Sequence, residues 1–273
     1  MSEFFTGYDP TIERRDELQN TATPVGFTVR DYEAPEEMDF RKYVRHDKQG
    51  NMGSCGGFGN TNGGECLWGL AHGGWSDARQ FSALFSYLEA QRLDGLLGRD
   101  AGSTISSGLK ISKELGYLLE SDLPYQTPYP GNARTLITND MRGKAGTMKI
   151  RSHAWLENYD AIKNYMASQA GVCYVGTPWN DSFYGRNGVV ESVNFTRFDG
   201  GHAYLFAGYS KRKDSRGRNY IWRLNSHNDS WTEISPSVID ALCKHQYTSI
   251  VGISDLSLPG PRSVSWLTSR PLG

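Results

Sequence analysis

The chain has 273 residues, 38% of them hydrophobic and 12% aromatic, with 7 Trp and 15 Tyr, enough to bury one large core or two lobes that share one. Its formal charge of −1, with both signs spread along the chain, excludes an electrostatic case for nucleic acid or an anionic membrane. No run approaches the roughly 18 apolar residues of a membrane span, and Glu3, Asp9, Glu13, Arg14 and Arg15 interrupt any signal-like stretch, so the expected location is the cytoplasm or a particle assembled there.

Residues 1–36 are polar and weakly periodic, and read as an extension ahead of a core that starts near residue 37. Seven of the sixteen residues from Gly50 to Glu65 are glycine, with Cys55 in their midst. After Ser76 the pattern turns helical: Phe81, Leu84, Phe85 and Leu88 fall at i, i+3, i+4 and i+7. Gly95 and Gly98 end that helix. A second is expected after Ser106-Ser107, with Leu109, Ile111 and Leu115 inside and Gly116 as its stop. The proline-tyrosine stretch LPYQTPYPG closes this first half, a helical lobe of about residues 50–130.

The second half, about 150–255, changes character. Asp160–Ala170 is a short amphipathic helix. Strand-like runs then follow at 172–176, 188–194, 203–209, 220–224 and 247–253, with the basic run 211–218 expected to cap a solvent-facing hairpin. Helices first and strands second predict an α+β protein with two lobes.

The four cysteines, Cys55, Cys66, Cys173 and Cys243, form no CxxC and no Cys/His group at zinc spacing, so neither a metal nor another cofactor is implied. Cys173 lies in an apolar run and reads as a small buried hydrophobe. The glycine cluster admits three readings. A phosphate loop needs a lysine after its last glycine, and none occurs before Glu65. A solvated linker conflicts with Phe58, Leu67 and Trp68. A reactive thiol remains, which needs a base and an orienting group. His153 stands in a polar stretch without such context. His202 opens the apolar run GGHAYLFAGYS, and the strand YIWRL delivers Asn225 in LNSHNDSW.

In this order the residues resemble the papain-like cysteine peptidases. Gln49-Gly50-Asn51-Met52-Gly53-Ser54-Cys55 is similar to that family's Q-G-x-x-G-S-C, GGHAYLFAGY to its histidine strand, and NSHNDSW to its asparagine motif N-S-W-G-x-x-W. His202 falls within the roughly 130–150 residues expected after the cysteine, and Asn225 somewhat beyond. Asp39-Phe40-Arg41 resembles the D-x-R that opens the mature domain. QFSALFSYLEAQRLDG, DAGSTISSGLKISKELGYLLESDLPY and GTPWNDSFYGRNGVV resemble the bacterial and viral branch, in which Met52 stands where other members carry a disulfide cysteine.

The resemblance implies a two-lobe fold, a helical N-terminal lobe and an antiparallel β-sheet or barrel, with the active-site cleft between them. It implies Cys55 as nucleophile, His202 as its acid-base partner, Asn225 as the orienter and Gln49 as an oxyanion donor. Gly102, Ser103 and Gly201 would line the substrate backbone. The expected activity is peptide-bond hydrolysis without cofactor or metal, on a peptide or protein substrate, with residues 1–36 as a short pro-segment. Three departures stand out, one of them the glycines Gly56, Gly57, Gly59, Gly63 and Gly64 in the helix expected after Cys55. Gly56 and His227 occupy positions where the family carries tryptophan, and Trp231 keeps the second tryptophan of the asparagine motif. They keep a second reading open: a catalytically impaired protein serving as a structural or binding part of a viral or bacterial assembly, such as a phage virion.

Overall fold

The glycine-rich stretch forms a helix. A computed structural model describes residues 7–22, 34–76, 79–169, 171–227 and 231–257. The described helices are α1 (Arg15–Asn20), α2 (Cys55–His72), α3 (Ala83–Asp94), α4 (Ile105–Lys110), α5 (Ala133–Leu136), α6 (Asn139–Ala145), α7 (Tyr159–Gln169) and α8 (Pro236–Lys244). The strands are β1 (Met38–Asp39), β2 (Ile150–Trp155), β3 (Val172–Trp179), β4 (Val189–Val190), β5 (Gly200–Lys213), β6 (Asn219–Leu224), β7 (Trp231–Ile234) and β8 (Ser249–Leu256).

The helix boundaries follow local chemistry. Ser82 caps α3 by accepting the Phe85 N–H, and Gly95, at φ +72°, ends it in the left-handed region. Thr104 caps α4 through Ser107 N–H, and that helix continues as one wider turn to Leu115 before Gly116. Ser235 caps α8, with Pro236 in the first turn.

The strands form one sheet in the order β2-β8-β3-β5-β6-β7-β4, with β1 paired to β5. All the pairings are antiparallel except β4 with β7. The sheet is open, so of the two forms expected for the second lobe the barrel is not the one adopted. The basic run 211–218 does close a hairpin: β5 ends at Lys213, Asp214 accepts from the Arg216 and Arg218 amides, and β6 begins at Asn219. The run expected at 188–194 pairs only at Val189 and Val190. β2 and β7 were not expected from the sequence.

Three buried clusters divide the labour. Leu84, Phe85, Leu88, Ile111 and Leu123 fill the helical lobe. Tyr165, Cys173, Trp179, Phe206 and Ile239 fill the outer side of the sheet lobe. Between them Cys66, Ile105, Tyr117, Tyr174, Leu205 and Ile253 form a seam, and α2 runs along it. Interior glycines each cost a helix up to about 1 kcal/mol relative to alanine, so packing must offset them. A Cβ on Gly57 would stand 2.4 Å from the Ala83 carbonyl oxygen, on Gly59 2.9 Å from the Tyr174 ring, on Gly63 2.5 Å from Ile253, and on Gly64 2.6 Å from the Tyr117 ring. The glycines let α2 touch both lobes at backbone distance.

Gly57→Ala therefore destabilises the fold by about 1–3 kcal/mol, although alanine is the better helix former, because the backbone of α3 cannot yield. Gly74→Ala, where a Cβ meets nothing within 4 Å, serves as the control. Urea unfolding of both variants checks this; equal midpoints would show that the seam has slack.

Candidate active site

Cys55 is the first residue of α2, where the helix dipole favours an anion. Its sulfur is fully buried and accepts the Ala203 N–H at 3.3 Å. Ala203 follows His202 on β5, so the sheet delivers the imidazole beside the helix terminus. The register Leu205↔Leu224 between β5 and β6 carries Asn225, just past β6, towards His202. The contact is made: His202 Nε2 and Asn225 Oδ1 lie 2.7 Å apart. With an acceptor there, the neutral imidazole carries its proton on Nε2. Asn225 Oδ1 also accepts the His227 N–H at 3.2 Å.

His202 Nδ1 is buried without a hydrogen-bond partner among the described residues. The thiol and the imidazole are thus close in the chain's architecture but not hydrogen-bonded to each other. Burial pushes the Cys55 thiol up to about 12, against the opposing pull of the Ala203, Gly7 and Gly56 amides. Burial likewise holds the His202 imidazole well below its usual 6.5, and the neighbouring His227 adds to this. The covered pair is therefore neutral, thiol and imidazole, rather than thiolate and imidazolium.

Gln49 is buried beside them. Its side-chain amide donates to the Met52 carbonyl at 2.8 Å, and its Oε1 accepts from Ser226 at 2.7 Å. Ser103 and Gly201 present main-chain groups to the cleft, and both are used. Ser103 N–H donates to the Gly7 carbonyl at 2.8 Å, Asp9 N–H to the Ser103 carbonyl at 3.2 Å, and Tyr8 N–H to the Gly201 carbonyl at 3.0 Å. Gly102 makes the turn, at φ +76°, and a Cβ there would fall 2.5 Å from the Gly7 carbonyl oxygen. So the structure brings Cys55, His202, Asn225, Gln49, Gly102, Ser103 and Gly201 to one cleft, and residues 7–9 lie in it. Residues 1–6 and 23–33 of the extension, and residues 228–230 of the asparagine motif, lie outside the described residues.

Sequence reasoning named His227 for the tryptophan position it fills, and missed Tyr184, Trp179 and Tyr125. His227 stacks on His202 with ring centroids 4.0 Å apart, and Tyr184 Oη bonds His227 Nδ1 at 2.8 Å. Trp179 flanks His202 at 4.5 Å. Tyr125 Oη donates to the Gln49 carbonyl and lies 2.6 Å from Ser54 Oγ, tying down the loop before the nucleophile. Trp179 and Tyr184 stand in GTPWNDSFYGRNGVV, Tyr125 ends the stretch at SDLPY and His227 belongs to the asparagine motif, but nothing local in the sequence marks their contacts at the site. His153, passed over in the sequence, sits on β2 against Lys113 and the Leu18 carbonyl, away from the cleft.

No protein-family model matches the sequence, and no curated relative matches it. Solved structures do match. Xylellain, a cysteine protease from Xylella fastidiosa, superposes with a TM-score of 0.74 at 21% identity, over 92% of this chain and 96% of that one. Digestive procathepsin L 3 from Tenebrio molitor larval midgut gives 0.62 at 17%, over 87% and 75%. Bromelain from Ananas comosus, in complex with the E64 inhibitor, gives 0.58 at 19%, over 81% and 99%. The chain has the papain-like fold.

On that fold His227 is a titratable ring in van der Waals contact with the candidate base. His227→Trp keeps an aromatic cover and removes the neighbouring titratable ring, so the His202 pKa rises towards its usual value, burial still holding it low. Nitrogen-15 NMR titration of the histidine rings measures this; an unmoved His202 would show that His227 stays neutral throughout and acts only by packing.

Proposed function

We propose that the chain is a papain-like cysteine endopeptidase held latent by its own N-terminal segment. The observation that carries the reading is the 2.7 Å His202–Asn225 contact one residue away from the Ala203 N–H that touches Cys55 Sγ, in a cleft crossed by residues 7–9.

In the active form His202 takes the Cys55 proton, giving a thiolate that attacks the scissile carbonyl carbon. The developing oxyanion is held by the Cys55 backbone N–H, with Gln49 as the side-chain donor once its amide turns from Met52. The C–N bond breaks as His202 returns its proton to the leaving amine, which leaves a thioester. Water, deprotonated by His202, then attacks the thioester and releases the acid. Asn225 keeps the imidazole facing the sulfur through each transfer. No step calls for a metal or cofactor.

The segment explains the neutral pair. Residues 7–9 pair with Ser103 as a parallel strand: one bond involves Gly7 and the other Asp9. A peptide bound antiparallel would exchange both bonds through one residue. Residues 7–9 thus occupy the cleft in the sense opposite to such a peptide, while excluding the water that would stabilise separated charges. The segment is anchored beyond the cleft. Glu13 accepts the Ile105 and Ser106 amides at the start of α4, and Arg14 pairs with the buried Asp94.

Iodoacetamide labelling followed by mass spectrometry tests both parts. In the full chain Cys55 reacts slowly. With Tyr8→Ala, which loosens the segment, it reacts at least about tenfold faster and outpaces Cys66, Cys173 and Cys243, while Cys55→Ser abolishes peptide hydrolysis. Equal labelling of the four thiols in both chains, with no hydrolysis, would replace the peptidase with the second reading, a non-catalytic part of an assembly. The missing thiol–imidazole hydrogen bond is the observation that favours it.

A further inference from the structure

The segment in the cleft also carries information about what the cleft accepts. Tyr8 follows Gly7, whose carbonyl meets Ser103, and its side chain leaves the backbone path and enters the body of the protein, where it is only 4% exposed. The ring passes Gly201, where a Cβ would stand 3.0 Å from Tyr8 Cδ1. It then reaches Gly176 on β3, where a Cβ would stand 2.8 Å from Cζ and 2.9 Å from Cε2, with Ile105 of α4 2.6 Å from the same point. The slot is therefore as wide as one ring because two strands carry no side chain there.

Its far end is polar. β3 and β8 pair in the register Gly176↔Ser249, which sets Ser249 beside the glycine. Tyr8 Oη lies 3.4 Å from Ser249 Oγ and 3.4 Å from the Tyr247 carbonyl. A slot with apolar walls and two acceptors at its end fits a phenol: the ring is buried and the hydroxyl still finds partners. A leucine leaves ring-shaped space empty, and a phenylalanine leaves Ser249 and the carbonyl without the hydroxyl.

We propose that this slot, walled by Gly201, Gly176 and Ile105 and ended by Ser249, selects a tyrosine side chain in the substrate, with Ser249 as the residue that tells tyrosine from phenylalanine. The inference rests on the peptidase reading for the cutting, but not for the binding. Tyr8 occupies the slot as an internal competitor, so the chain's own segment carries the side chain the slot prefers.

The experiment uses the full chain with Tyr8→Ala, which empties the slot. A peptide library cut by this chain and read by mass spectrometry shows tyrosine near the cleavage site, favoured over phenylalanine by about fivefold and over alanine by about a hundredfold. Ser249→Ala in the same chain removes the tyrosine-over-phenylalanine preference, and Gly176→Ala, which fills the slot with a methyl, brings tyrosyl and alanyl peptides within about threefold of each other. Cleavage indifferent to tyrosine, or a preference untouched by Gly176→Ala, overturns the assignment. Binding is read separately, as protection of Cys55 from iodoacetamide by the peptide amide Gly-Tyr-Asp but not by Gly-Ala-Asp. Protection without cleavage of any peptide leaves the pocket standing and fails the peptidase reading; equal protection by both peptides overturns the pocket.

Discussion

The rest of the structure depends on how closely α2 approaches its neighbours. The helix is buried almost from end to end, between a sheet and a second helix that both come within backbone distance of it. Gly59 faces the Tyr174 ring of β3, Gly63 faces Ile253 of β8, and Gly57 faces the Ala83 carbonyl at the start of α3. The loss of helix propensity, about 1 kcal/mol for each glycine, is the condition of this approach. Tyr174 completes the seam by donating from its hydroxyl to the Gly56 carbonyl at 2.8 Å. The same contacts place Cys55, at the start of α2, under the Ala203 N–H of β5. Fold and site are therefore fixed by one packing arrangement. Gly56, at the position of a tryptophan in the family that the sequence resembles, belongs to it: a Cβ there would fall 2.5 Å from Ser103 Oγ.

Much of this was legible in the sequence where periodicity or a short motif carried it. The i, i+3, i+4 pattern gave α3, Gly116 marked the end of the helical run after α4, and the apolar runs located β3, β5 and β6. Cys55, His202 and Asn225 could be chosen because each stands in a recognisable local context. β2 was not visible, because Ile150–Trp155 alternates only partly and includes the charged Arg151 at its exposed edge. β7 is four residues long, below the length at which alternation can be read. The glycine run was legible as a fact and opaque as a cause, since its explanation lies in groups spread along the chain from Ala83 to Ile253. Tyr8 was opaque for the same reason: its partners, Gly176, Gly201 and Ser249, belong to three different strands of the other lobe.

Electrostatics and packing at the cleft point the same way. A thiolate–imidazolium pair needs solvent or dipoles around it, and with the cleft filled neither charge is affordable: the thiol is driven up, the imidazole down, and both remain neutral. Water admitted to the site would act against both shifts, while loss of the Gly7 amide, which lowers the thiol, would act the other way at Cys55. The stacked His227 opposes the rise at His202, since it is a ring whose own protonation would repel a proton on His202. A tryptophan there would cover the His202–Asn225 contact without this coupling.

Gly7 shows why the segment can rest in the cleft in the sense it does. A Cβ at Gly7 would lie 1.9 Å from the Gly53 carbonyl oxygen, inside the loop that precedes the nucleophile. Only glycine can follow that path, and the loop cannot give way easily, because Gly53 N–H is held by Asp100 and Ser54 by Tyr125. An ordinary peptide, with a side chain at that position, is excluded from the course residues 7–9 take and must enter in another register or direction. Sterics alone thus reserve this path for a segment with glycine at that position, which is what lets the chain's own residues 7–9 follow it and carry Tyr8 into the slot.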